Sequence, residues 1–459
     1  AITIIEGPFV YVISSNSATI SLETNQSTIA KVTVSGKEYF STEGTHHEIK
    51  IDNLNANTEY SYEVNVGNNT QNYSFKTAHL SGERKPFTFA YASDSRNGRG
   101  GGERNVYGAN FYIIKKIMAL AKQQNISFMQ FSGDLINGYL SNVGQINLQY
   151  ANWKRAIEPF AHYFPVYVSM GNHEALTRDF KIGNNRYGTS VDRFPFETES
   201  AEVIFANNFV NPSNGPISED GASYDPDRKN TDFPPYSENV FYYTFDNTAM
   251  IVMNSNYLYT PSKFDIPLAG GGLHAYIMDN QVDWVKKILK KLEKDDTIDH
   301  IFITEHTPFF PNGGHVHDDM WYNGDNSWRP WIAGVPMKKG IIERRDELLD
   351  LFVNKSKKVI AILTGDEHNY AVTEIGPETN IYPENYEPKK IKLNRTIYQI
   401  NNGAAGAPYY AQEQTPWSDK ATGFTTQNAV VFFHVNGNTI DVEVVNPDTL
   451  EKFDGYKLK

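Results

Sequence analysis

The sequence predicts two layered units in series: a small antiparallel β-sandwich followed by a larger α/β domain. Residues 1–80 read as short strands separated by Asn, Ser, Gly and Thr clusters, the pattern of an all-β unit. After Pro86 the rhythm changes to apolar runs alternating with helical patterns, which argues for helices layered on a sheet. The length of 459 residues also exceeds one ordinary domain of roughly 100–200 residues.

In the first unit the expected strands are 9–13, 18–22, 30–34, 60–66 and 73–77. The stretch Asn53-Leu54-Asn55-Ala56-Asn57-Thr58-Glu59-Tyr60, followed by alternating Tyr62, Val64 and Val66, resembles the corner and following strand of a fibronectin type III domain. Ser81 to Pro86 is a polar linker, so the division falls at 1–82 and 83–459. In the second unit the runs 87–91, 128–131, 166–170, 250–253, 300–304 and 359–363 read as buried strands. Helices are expected at 111–122, 148–160, 281–292 and 343–353. Segments 175–240 and 307–335 break the rhythm, and long irregular insertions of this kind are more often functional walls than connectors. From about 397 to 445 the pattern returns to strands.

Composition narrows the chemistry. With 40% hydrophobic and 21% charged residues the chain is globular, not collagen-like, coiled-coil or disordered. The acidic excess, 54 against 42 basic residues for a net charge of −12, disfavours a nucleic-acid duplex or an anionic membrane as partner. No apolar run approaches the roughly 18 residues of a transmembrane helix. Cysteine is absent, which removes disulfides, thiolate zinc sites and thiol nucleophiles. The start at Ala1 fits a mature chain whose signal peptide has been removed, hence a secreted or periplasmic expectation, or else an arbitrary boundary. Six Asn-x-Ser/Thr sequons, at Asn25, Asn68, Asn72, Asn125, Asn354 and Asn394, carry little weight in so Asn-rich a chain.

The predicted strands end in a repeated kind of residue. The first runs into Ser93-Asp94-Ser95-Arg96, the second into Gly133-Asp134, the third into Gly171-Asn172-His173-Glu174. Later ones end Glu305-His306 and Gly365-Asp366-Glu367-His368. In open α/β sheets the ligand site lies beyond the carboxyl ends of the strands. A lone Gly-Asp is usually a turn and a lone His306 a satisfied core histidine, but the ordered series points to a metal site. A sulfur-free set of oxygens and imidazoles suits Mn, Fe, Zn or a mixed pair.

This series resembles the calcineurin-like metallophosphoesterases, and within them the purple acid phosphatase branch. The family's motifs are an early Asp, Gly-Asp, Gly-Asn-His-Glu, a later His and Gly-His-x-His, and their counterparts here run from Asp94 to His368. A preceding β-sandwich, His315 nine residues beyond His306, and the passage with Gln281 and Trp284 also match that branch. The resemblance implies an α/β/β/α metallophosphatase sandwich behind a fibronectin III-like β-sandwich. It implies one metal held by Asp94, Asp134 and His368, and a second held by Asp134, Asn172, His306 and Asp366. Water activated by the two metals would then attack a phosphorus atom in line. His173 would stand over the site and touch phosphate, Glu174 would orient it, and His315 and His317 would contact phosphate or protonate the leaving group.

Departures from the family pattern carry their own expectations. Where the branch places a metal-binding tyrosine stands Asn137, and Tyr139 is expected to point elsewhere, so no purple colour is expected. Asp366 replaces the first histidine of Gly-His-x-His and would tilt its site towards Mn, Mg or Ca. Arg96 suits a phosphate oxygen or a salt bridge across the site. The run from Gly98 to Gly102 with Arg99 reads as a solvent loop or a rim. Phe309, Phe310, Trp321, Tyr322, Trp328 and Trp331 read as packing, and His274, His46, His47 and His300 as structural. The expected function is a binuclear metal-dependent phosphohydrolase acting on small phosphomonoesters. The alternatives are a phosphodiesterase for nucleotides or lipid headgroups, and a binding or adhesion protein on a phosphatase scaffold.

Overall fold

The computed structural model describes residues 1–97, 107–182, 186–190 and 195–459, with 178–182 and 186–190 described by backbone only. The run from Gly98 to Gly102 lies outside the described residues.

Seven strands open the chain: Ile4–Tyr11, Ala18–Thr28, Lys31–Val34, Lys37–Phe40, Gly44–Ile51, Glu59–Val66 and Asn69–Lys76. The first, second and fifth form one antiparallel sheet, and the fourth, third, sixth and seventh another. Val10, Ile20, Leu22, Val32, Ile49, Val64 and Phe75 from both sheets share one core. Lys37–Phe40 and Gly44–Ile51 escape the sequence pattern. In Gly44–Ile51 only His47, Ile49 and Ile51 face inward, and a histidine in that series hides the alternation. His47 is buried between Ser41 and Thr24, with ring-nitrogen contacts of 2.8 and 3.0 Å.

The remainder is four layers. One sheet runs Val166–Ser169, Phe128–Ser132, Phe87–Ala92, Val430–Asn436, Thr439–Val445, Lys452–Lys457 in spatial order, parallel among the first three strands. The other runs Phe241–Phe245, Thr248–Val252, His300–Thr304, Val359–Thr364, Ile397–Asn402, Tyr370–Ile375, Ala421–Thr425, parallel from the second to the fifth. Period-2 alternation assigns the faces. Phe89, Tyr91, Phe128 and Phe433 point to the seam between the sheets, where they meet Phe302, Ala361 and Leu363, with Phe89 edge-on to Phe302 at 5.2 Å. Ala90, Met129, Phe131 and Val168 point outward onto helices Phe111–Gln123, Val143–Ala161 and Ala201–Asn208. Helices Asp279–Glu293 and Ile341–Leu349 cover the far face of the second sheet through Val285, Ile288, Leu348 and Leu349.

Helix Val143–Ala161 begins before the predicted 148 because it is started by Asn142, whose side chain accepts from the Gln145 amide at 3.0 Å. The polar linker is pinned to the second sheet. Asp246 accepts the Arg84 amide at 2.6 Å, the Lys85 amide at 3.0 Å and the buried His79 ring at 2.8 Å. No helix among the described residues is long and apolar enough to cross a membrane.

Candidate metal centre

Both sheets deliver their strand ends to one point on the seam. Asp94 follows Phe87–Ala92, Asp134 follows Phe128–Ser132 and Asn172 follows Val166–Ser169. His306 follows His300–Thr304, and Asp366 and His368 follow Val359–Thr364. Asp94, Asp134 and Asp366 each adopt a left-handed backbone, with φ of 65°, 49° and 65°, turning the chain abruptly so that a short carboxylate points back over the sheet. Gly133 makes the approach possible: a Cβ there would stand 2.5 Å from the Gly171 nitrogen and 2.9 Å from His306 Nδ1.

The donor atoms converge. His306 Nε2 lies 3.2 Å from Asp134 Oδ1, 3.1 Å from Asp366 Oδ1 and 4.0 Å from Asp94 Oδ1. His368 Nε2 lies 3.3 Å from Asp94 Oδ1. One end of the Asn172 carboxamide meets the Tyr139 hydroxyl at 2.6 Å, and the other faces His306 Nε2 at 3.1 Å and the Asp134 and Asp366 oxygens at 3.2 Å. With its oxygen inward that amide joins three other lone-pair donors, an arrangement that a cation resolves. The Nδ1–H of His306 donates to the Ser132 carbonyl at 2.7 Å, and that of His368 to the Pro408 carbonyl, which leaves each Nε2 as the inward lone pair. Tyr410 stacks on His368 at 4.3 Å and fixes its plane.

These residues fit a metal. Asp94 Oδ1 and Asp134 Oδ2 are buried and make no hydrogen bond among the described residues. Burial pulls the His306 pKa down, but Asp134, Asp94 and Asp366 outweigh it and lift the group well above its ordinary value. Burial opposes ionisation of Asp366, yet His315, His274 and His306 hold its carboxyl well below the usual range. Protons therefore sit where a divalent cation would satisfy the same carboxylates.

Around this centre the other expected residues take definite places. His173 donates from Nδ1 to the Asn137 carbonyl at 2.5 Å and keeps Nε2 3.8 Å from Asp134 Oδ2. Burial, with help from Arg96 and against Asp134, lowers its pKa to about 4. Arg96 is mostly buried, its Nε unpartnered among the described residues and 4.0 Å from Asp134 Oδ2. Glu174 does not orient His173. Its oxygens accept the amides of Asp134 at 2.9 Å, Gly171 at 2.6 Å and Leu135 at 2.8 Å, so it holds the Asp134 and Asn172 loops together. His315 turns Nδ1 to Asp318 at 2.9 Å and to Asp366 at 3.5 Å. His317 stands on the rim, its side chain 58% exposed, with Asp318 at 3.5 Å.

Two readings need correction and one residue must be added. Tyr139 returns to the site, its hydroxyl on Asn172 and its ring edge-on to His173 at 4.5 Å. His274 is not remote, for its Nε2 lies 2.7 Å from Asp366 Oδ2 and 3.1 Å from Asp319 Oδ1. Asp319 is a fully buried member of the same group that the sequence reading overlooked. Both came from irregular segments, where no strand end marked them; only the local excess of Asp and His over 315–319 was there to notice.

A carboxylate–imidazole site on the carboxyl edge of two stacked, mixed sheets defines the architecture of a metallohydrolase. A profile of the calcineurin-like phosphoesterases matches residues 88–370, and the chain belongs to that family. Among solved structures, a purple acid phosphatase from yellow lupin (Lupinus luteus) seeds shares the fold with a TM-score of 0.63 and 14% identity, covering 98% of this chain and 74% of its own. PhoD does so with a TM-score of 0.56 and 13% identity, covering 98% of this chain and 91% of its own.

Proposed function

We propose that the chain is a phosphomonoesterase working with two divalent cations, one held by Asp94, Asp134 and His368 and the other by Asp134, Asn172, His306 and Asp366. The observation that carries this reading is the convergence of buried, unpartnered carboxylate oxygens with two imidazoles whose Nδ1 atoms are already committed to backbone carbonyls. When bound there, the cations would supply Lewis acidity towards phosphate oxygens and towards water near neutral pH. Arg96 extends the positive edge and binds a substrate oxygen through its planar fork. His173, uncharged above about pH 4, presents Nε2 to the phosphoryl group or its nucleophile. His315 presents the nitrogen turned away from Asp318 as a second donor to substrate, and His317 lines the entrance.

Oxygen donors outnumber imidazoles, which favours Mn or Fe over Zn, with Mg or Ca admissible at Asp366. Asn137 is exposed and offers no phenolate, so the loaded protein should lack an intense visible band. The fibronectin III-like character of the N-terminal sheets, a boundary at 82/83 and an extracytoplasmic location belong to the same reading. The sheet orders support the first, and cell fractionation checks the last. The decisive experiment measures bound metal and turnover of p-nitrophenyl phosphate against bis-p-nitrophenyl phosphate. Two equivalents of metal with preference for the monoester are expected. Preference for the bis-ester would make the chain a diesterase, and no turnover with fewer than two metals would leave a binding protein.

A further inference from the structure

Asp366 has oxygens that serve two different clusters. Oδ1 faces His306 at 3.1 Å in the centre described above, whereas Oδ2 faces His274 Nε2 at 2.7 Å and His315 Nδ1 at 3.5 Å. Asp319 Oδ1 closes the second cluster, 3.1 Å from His274 Nε2. One ligand atom from each of His274, His315, Asp319 and Asp366 lies within 4.8 Å of all the others. Metal bonds of about 2.0–2.2 Å place tetrahedral ligands roughly 3.4 Å apart, so the set would close on an ion as its 2.7 and 3.1 Å contacts open and its widest ones draw in.

Two further observations point the same way. Asp319 is fully buried and its Oδ2 has no hydrogen-bond partner among the described residues, a lone pair that water cannot reach and no donor meets. The His274 ring is set from behind, Nδ1 lying 2.8 Å from the Asn256 carboxamide. Asn256 Nδ2 donates to Nδ1, so the ring proton sits on Nε2 between the Asp366 and Asp319 oxygens, the position a bound cation would take in its place.

We propose that Asp366 is a bridging carboxylate and that its Oδ2, with Asp319, His274 and His315 Nδ1, holds an additional divalent cation of the Zn or Mn class beside the pair. Two imidazoles and two carboxylates form a donor set suited to either. The proposal rests on the two-cation reading of the centre; His315 Nδ1 would exchange its 2.9 Å hydrogen bond to Asp318 for the metal, and Nε2 would stay free for substrate.

The test counts metal. The full chain is stripped with chelator, reloaded separately with Mn(II) and Zn(II), desalted and analysed for metal per chain, alongside Asp319→Asn and His274→Gln, with circular dichroism as the check on folding. Three equivalents in the wild type and two in each variant are expected, in at least one metal. If Asp319→Asn fails to fold, His274→Gln is read alone by the same criterion. Two equivalents in the wild type overturn the additional site and leave the pair standing, while fewer than two overturn the pair as well. Three equivalents retained in the variants show that the third ion lies elsewhere and overturn this assignment.

Discussion

Asp134 is the residue that both proposed metal positions share. Replacing it with Ala should empty the centre and lower turnover by at least ~10³-fold, about 4 kcal/mol of transition-state stabilisation, with metal content and kcat as readouts. Glu174 acts one step further out. Glu174→Gln puts an NH2 group against backbone amides that now meet a carboxylate, so a stability loss of about 1–3 kcal/mol is expected by urea unfolding. Metal affinity should fall roughly 10–100-fold, read by competition with a chelator. The converging residues themselves were legible because strand-end Asp, Asn and His recur with glycine. The direction of Glu174 was not: in the 3-10 turn Asn172–Glu174 its side chain folds back onto Asp134 and Gly171, which adjacency to His173 cannot reveal. His274, 92 residues from Asp366, could be placed only by the fold.

Among the elements, the tight strand-to-loop turns carry the most constraint. Gly133→Ala combines a φ of 86° with backbone contacts of 2.5 and 2.7 Å to Gly171. Gly36→Ala has a φ of 78° but nothing within 4 Å of the added carbon. The second should lower stability by about 1 kcal/mol and leave metal binding intact, while the first should exceed roughly 3 kcal/mol and release metal. Equal losses in melting temperature would refute the packing argument. Buried strands and amphipathic helices were legible because their periods of 2 and 3.6 are strong. Starts set by a polar cap, as at Asn142, and strands with polar outer faces, as in Gly44–Ile51, were not.

At the scale of the whole molecule the N-terminal sheets and the layered body are fastened together. The polar composition of 81–86 reads as a linker, yet the Asp246 carboxylate fixes it through the Arg84 and Lys85 amides, with a third bond to His79 just before it, contacts invisible at that sequence separation. Asp246→Ala should lower stability by about 3 kcal/mol and open 79–86 to limited proteolysis. Glu238, which feels Glu48 of the N-terminal sheets, is pushed up by burial to about 7. Its folded pKa exceeds the unfolded value near 4.5, so its stabilising contribution is complete below that value and is lost as pH rises through about 7. Melting temperature should therefore fall between pH 5 and 8 more steeply in the wild type than in Glu238→Gln; parallel curves would refute the assignment.

The seam location of the centre also sets an order of events in assembly. Asp94, Asp134 and Asn172 come from one sheet and His306, Asp366 and His368 from the other, and the first sheet is complete only when Thr88 meets His434, 346 residues away. No half of the chain can present all six residues. A cation held by all six would therefore bind only after the two sheets have docked, which would make metal loading a readout of that step in refolding.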